Sequence, residues 1–156
     1  MLIRKAELKD IEDILYLLSD VLELHASIRP DIFISGKTKY TKEELVNKLS
    51  EDNFYVYVGE ISNKVVGYVM CELQHPQFNN TMRQIKTLYI DDLEVNPSYR
   101  GQGLGRELFE FIKGEAKRLN CYNITLNEWE GNDRARKFYD KLGMKPQKTT
   151  IEYILK

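Results

Sequence analysis

The sequence predicts an α/β fold of 156 residues in the order β-α-α-β-β-β-α-β-α-β, confined to one domain, 1–156. Three observations predict it. Segments of period two and segments of helical spacing follow one another without an internal repeat, low-complexity stretch or linker. A strand, a glycine turn and an amphipathic helix occupy the middle of the chain, residues 85–120. The strand entering that turn changes the parity of its apolar residues once, which predicts a bulge.

Residues 2–6 read as a short first strand. From Asp10 to about Leu24 a helix is expected, with Ile11, Ile14, Leu15, Leu18 and Leu22 on one face. Residues 23–31 lose that periodicity and end at Pro30-Asp31. Thr41 and Glu44 form a capping box that opens a short second helix, to about Leu49. Residues 54–60 alternate as a strand, Phe54, Val56 and Val58 opposite Tyr55 and Tyr57, and Ser62-Asn63-Lys64 turns the chain into a second strand over 65–73. Residues 75–80 read as a polar loop.

In the next strand, about 82–95, Leu88 and Ile90 are apolar at even positions and Leu93 and Val95 at odd ones. A strand has period two, so an extra residue is expected at Asp91-Asp92. Asn96-Pro97 ends the strand, because proline cannot donate to a ladder. Arg100, Gly101, Gln102, Gly103, Leu104, Gly105 and Arg106 follow, and then Leu108, Phe111, Ile112, Ala116 and Leu119 recur at helical spacing. Glycines ahead of a helix N-terminus, with its unsatisfied donors and partial positive charge, suit a pyrophosphate. The dinucleotide pattern G-x-G-x-x-G fails at Arg106 or Leu108, and the Walker pattern fails because Arg106-Glu107 follows Gly105. Residues 122–128 read as a strand. Asn132 caps a helix with Ala135, Phe138, Tyr139 and Leu142 inward, Gly143 ends it, and 149–155 reads as a last strand.

Composition bounds the function. Hydrophobic content of 42%, charged content of 30% and net charge −1 are ordinary for a globular protein, and no basic stripe argues for nucleic acid. No apolar run approaches a membrane span, and Met1-Leu2-Ile3-Arg4-Lys5 lacks the apolar core of a signal peptide. Cys71 and Cys121 read as free thiols in a reducing cytoplasm. His25 and His75 without a carboxylate cluster give no expected metal site.

The run Arg100-x-x-Gly103-x-Gly105 resembles motif A of the GNAT acetyltransferases, which bind acetyl-CoA. Residues 132–144, from Asn132 through Ala135, Phe138 and Tyr139 to Gly143-Met144, resemble motif B of the same family. The resemblance covers nearly the whole chain. It implies a mixed, mostly antiparallel twisted sheet, splayed at a bulge in the fourth strand, and acetyl transfer from acetyl-CoA to an amine acceptor in a ternary complex. It implies that Tyr139 protonates the departing thiolate and Asn132 contacts the cofactor. Leu93, Glu94 and Val95 line the pantetheine arm, Leu93 and Val95 by backbone groups, Gly101 to Arg106 line the pyrophosphate, and Arg100 contacts a phosphate or pairs with a nearby acid. Homodimerisation is common in the family.

Asp91, Asp92 and Glu94 stand on or beside the expected bulge as candidates to take the amine's proton, directly or through water. Residues 89–95 are similar to a strand of the spermidine/spermine acetyltransferases, whose proposed base falls on Asp91, one methylene shorter. His25 and Asp92 are the candidates for substrate contact, and Tyr40, Tyr55, Tyr57 and Trp129 for an aromatic wall. A small amine, including di- and polyamines, is the expected acceptor. A protein N-terminus or lysine is the alternative, which needs an open groove, and a CoA-binding sensor without turnover is a further one.

Overall fold

The computed structural model describes residues 1–75 and 80–156. Its sheet runs in the order β1-β2-β3-β4-β5. Strands β1 (Leu2–Lys5), β2 (Phe54–Ile61), β3 (Lys64–Gln74) and β4 (Thr87–Val95) are successively antiparallel, and β5 (Asn123–Leu126) is parallel to β4. The β2–β3 link is a two-residue turn with positive φ at Ser62 and Asn63, as hairpins of matching twist require.

Helices α1 (Ile11–Ile28) and α2 (Lys42–Lys48) cover one face of the sheet, and α3 (Leu104–Arg118) the other. The alternation of β2 sorts its residues as expected. Phe54, Val56 and Val58 join Ile14, Leu18 and Leu45 in one cluster, whereas Tyr57 joins Leu108 and Ile112 in the other. Helix α4 (Asp133–Lys141) is half-buried at Phe138 and Tyr139, and it starts where Asn132 accepts the Ala135 N–H.

The parity argument holds. Leu88, Ile90, Leu93 and Val95 all pack into the α3-side cluster despite their change of parity. Met70 pairs with Asp92 and Cys71 with Ile90, so Asp91 is the extra residue of a β-bulge. The ladder between β4 and β5 ends at Ile90 and Leu126, although β4 runs on to Val95. β5 is paired along its whole length and stops at Leu126, so the last five residues of β4, past Ile90, have no β5 partner.

Three boundaries differ from expectation. Helix α1 continues to Ile28, because Ala26 still packs inward and only the approach to Pro30 stops it. Strand β4 begins at Thr87 rather than near Met82, and the loop expected at 75–80 lies, over 76–79, outside the described residues. The expected last strand over 149–155 is not formed. Residues 145–156 lie in no helix or strand, with Ile151, Tyr153 and Leu155 exposed, because no strand among the described residues accepts their backbone.

Candidate active site

Four segments meet where β4 runs on past the end of β5: the bulge, the glycine turn into α3, helix α4 and the loop 29–40 after α1. In the turn, Gly101 and Gly103 have φ of 79° and 80°, the left-handed region that a side chain disfavours, and a Cβ at either would meet nothing within 4 Å. Gly105 serves differently. A Cβ there would come within 3.0 Å of the Phe138 ring, so its absence lets α4 close on α3. Gly103 is the N-cap of α3, whose first-turn N–H groups have no intrahelical acceptor.

Arg100 does not face that turn's open side. Its Nη2 donates to Glu94 Oε1 at 2.6 Å and to Asp20 Oδ2 at 3.2 Å, and its Nε to the Val95 carbonyl at 3.1 Å. Glu94, 7% exposed, also accepts the Val95 N–H at 3.0 Å. Arg100 and Glu94 brace the strand end against α1, the pairing with a nearby acid that the sequence allowed for Arg100, and both backbone groups of Val95 are occupied. The β4 backbone at Leu93 lies past the last β5 pairing, on the open stretch. Arg100→Ala leaves a buried carboxylate without its cation, and chemical denaturation is expected to show a loss of about 3 kcal/mol.

The two bulge aspartates differ. Asp91 Oδ2 accepts the Tyr40 hydroxyl at 2.7 Å, its Oδ1 lies 3.1 Å from Lys39 Nζ, and Lys39 also donates to its carbonyl. It fastens the loop 29–40 to the sheet. Asp92 accepts a hydrogen bond from the buried Tyr68 hydroxyl at 2.9 Å. Burial, with Glu94 and Asp91 adding to it against Lys39 and Tyr68, pushes its carboxyl up to about 6.

The Tyr139 ring packs on Phe138 with centroids 5.0 Å apart. Its phenol is pushed above its ordinary value, first by burial and then by the charges of Asp92, Glu128 and Glu94. Those neighbours lie on β4 and just past β5, so the phenol is near the end of that strand pair. Its hydroxyl has no hydrogen-bond partner among the described residues.

Loop 29–40 supplies the outer wall. The ring centroids of His25 and Phe33 are 5.2 Å apart, as are those of Phe33 and Trp129. Arg29 lies over Trp129. His25 stands on the last turn of α1, with its imidazole pushed down by burial and by Lys39. Tyr40 and Trp129 belong to this side, but Tyr57 donates to Glu115 under α3 and Tyr55 packs in the same cluster, both away from the site.

Sequence reading missed Tyr68, Lys39 and Glu128. Tyr68 carries the signal of any core tyrosine, since its phase on β3 turns it toward α1. Glu128 has one oxygen on Arg136 and the other, Oε2, buried without a partner among the described residues. It follows the last apolar residue of β5, where no pattern marks it.

A model of the acetyltransferase (GNAT) family matches residues 18–144. The crystal structure of a mutant of the BH1408 protein of Bacillus halodurans is 35% identical, with a TM-score of 0.95 over 99% of each chain. Thialysine N-epsilon-acetyltransferase of Bos taurus is 27% identical over 153 residues, 92% of this chain and 83% of that protein. Glucosamine 6-phosphate N-acetyltransferase of Trypanosoma brucei brucei is 30% identical over 90 residues, 58% of this chain and 57% of that protein. The chain spans 58% and 57% of the length of the first curated relatives it matches. With a family match over most of its length, and with the bulge, glycine turn and motif-B helix converging on one site, this chain belongs to the GNAT acetyltransferase family.

Proposed function

We propose that this protein transfers an acetyl group from acetyl-CoA to the primary amine of a small cationic molecule by direct attack in a ternary complex. The observation that carries the reading is the stretch of β4 that runs on past the end of β5, with Asp92 on it and the phenol of Tyr139 beside it.

The residues present fit acetyl-CoA. Gly101 and Gly103 are left-handed, and nothing lies where their side chains would be, so a diphosphate can approach the N–H groups of Gln102 to Arg106. Asn132 uses its Oδ1 as a cap and keeps its amide N–H groups for the cofactor. Leu93 offers backbone groups to the pantetheine arm, while Val95, expected to share that task, is occupied by Glu94 and Arg100. Bound there, acetyl-CoA supplies a thioester carbon for attack.

The chain's own residues move the protons. An amine with a pKa near 10 costs roughly 4 kcal/mol to deprotonate at pH 7. Asp92, pushed up to about 6, accepts that proton directly or through water. Asp91, the base implied by sequence resemblance, is bound to Tyr40 and Lys39 and acts instead as an anchor for the acceptor loop. As the C–N bond forms and the C–S bond breaks, Tyr139 gives its proton to the sulfur. Asp91, Asp92 and Glu94 draw a cationic acceptor toward the site, and His25, Phe33 and Trp129 wall it.

Acetylation of a protein N-terminus or lysine calls for an open groove. The fastening of loop 29–40 to the bulge by Tyr40 and Lys39 favours a small acceptor instead.

Gly103→Asp tests the cofactor assignment. It puts a side chain and a negative charge against the pyrophosphate at a left-handed position. Calorimetry is expected to show acetyl-CoA affinity at least tenfold weaker, about 1.4 kcal/mol, with the fold retained. Unchanged affinity would remove the glycine turn from the site.

A further inference from the structure

The bulge already holds an ammonium, and it belongs to the chain itself. Lys39 Nζ donates to the Asp91 carbonyl at 2.9 Å and lies 3.1 Å from Asp91 Oδ1. The Tyr40 ring stands beside it, with its centroid 5.8 Å from Nζ. A carboxylate oxygen, a carbonyl oxygen and an aromatic face are the groups that recognise a primary ammonium. The bulge leaves Asp91 without a partner on β3, and β5 ends at the level of Ile90, so the Asp91 carbonyl is left to Lys39.

This cluster adjoins the carboxylate assigned above to the amine's proton. Asp91 and Asp92 turn to the same face of the sheet, because the hydroxyls they accept, from Tyr40 and Tyr68, both belong to the cluster under α1 and α2. The Lys39 charge also acts on Asp92, against its burial, and on His25. For a short diamine with one nitrogen at Asp92, Asp91 is the anion next to it on that face.

We propose that the Asp91 carboxylate, its carbonyl and the Tyr40 ring form a second-ammonium subsite that Lys39 fills from within the chain, so that Lys39 restricts the acceptor to amines with a single cationic group. This filter rests on the acetyl-transfer reading, since the first nitrogen is the one acetylated. Two features keep the subsite filled. Lys39 is tethered, so a free diamine competes with an ammonium at an effective concentration of about millimolar or above. The segment that bears it is also pinned. Tyr40 donates to Asp91 Oδ2 at 2.7 Å, Thr38 Oγ1 donates to the Tyr40 carbonyl at 2.6 Å, and Glu23 accepts from Ser35 Oγ at 2.7 Å and from the Gly36 N–H at 2.6 Å. With Lys39 in place both Asp91 oxygens are engaged, and a second ammonium meets a like charge.

Free-thiol release from acetyl-CoA, compared between n-butylamine and the terminal diaminobutane, tests the filter. Wild-type protein is expected to favour the monoamine by about tenfold or more in kcat/KM. Lys39→Met keeps the aliphatic stem and removes the charge. It is expected to raise the ratio of diamine to monoamine kcat/KM by about tenfold or more, through the KM of the diamine. Lys39→Arg keeps the charge and is expected to hold the wild-type ratio. A loop merely loosened by the loss of Lys39 would slow both amines together and leave the ratio in place. Calorimetric titration with diaminobutane reads the subsite without turnover, and binding to Lys39→Met is expected to be about tenfold tighter than to wild type. A wild type that prefers the diamine, or a ratio and a diamine affinity unmoved by Lys39→Met, would overturn the subsite. Tighter diamine binding to Lys39→Met without thiol release from either amine would uphold the subsite and overturn the acetyl-transfer reading instead.

Discussion

Tyr139→Phe is expected to slow acetyl transfer by about 100-fold while leaving acetyl-CoA affinity near that of the wild type. The substitution keeps the ring on Phe138 and removes only the hydroxyl, which has no partner among the described residues to leave stranded. Burial beside Asp92 and Glu128 holds the phenol protonated at every working pH. The same shift makes it a weaker acid, and a thiolate is a tolerable leaving group. The expected effect therefore sits at the lower end of general-acid contributions, about 10²- to 10⁴-fold. Single-turnover rates separate the chemical step from product release. A wild-type rate in that measurement would return Tyr139 to a packing role.

Asp92→Asn is expected to lower turnover by about 100-fold near neutral pH and to remove the acidic limb of the kcat/KM profile near pH 6. The loss should narrow as pH approaches the amine's own pKa, where the acceptor deprotonates unaided. Stability should move the opposite way. The folded carboxyl titrates at about 6 and the unfolded one at 3.8, so between those values the folded state binds more protons. Stability from this group is present below pH 3.8 and lost as pH rises through 6. At neutral pH the buried charge is a liability, and Asn, which can still accept from Tyr68, should raise stability by up to about 3 kcal/mol. A variant both less active and more stable is what a proton acceptor in a desolvated site predicts. Asp91→Asn should instead weaken acceptor binding, through the Tyr40 and Lys39 contacts, and leave the pH profile in place.

Much of this architecture was legible because local rules and tertiary packing agreed. The change of parity between Ile90 and Leu93 located the bulge, since both halves of β4 must bury their apolar residues under α3. The capping box at Thr41 and the glycine after α4 likewise sit where the sequence put them. The glycine turn was readable as a position for left-handed backbone, but not its division of labour. That Gly105 yields space to Phe138 depends on how α4 docks, which no local pattern carries.

The difference in surroundings between Asp91 and Asp92 was not readable for the same reason. It turns on which carboxylate meets Lys39 and Tyr40 from a loop about 50 residues upstream, and on a hydrogen bond from Tyr68 of the neighbouring strand. Arg100 was poised between a phosphate and a nearby acid, and Glu94 decided it, with a separation of six positions that only the fold turns into contact. The tail over 149–155 has strand periodicity without a strand, because periodicity reports a face to be buried and not the surface that buries it.

The central claim, acetyl transfer from acetyl-CoA to a small primary amine, is tested most directly by free-thiol release across a panel of amines. The panel should include monoamines, di- and polyamines, amino sugars and a lysine-containing peptide, with the acetylated product identified by mass. The account predicts thiol release that requires both acetyl-CoA and a small cationic amine, with the acetyl group on that amine's nitrogen and little transfer to the peptide. Transfer to the peptide alone, or tight acetyl-CoA binding with no thiol release from any amine, would contradict it.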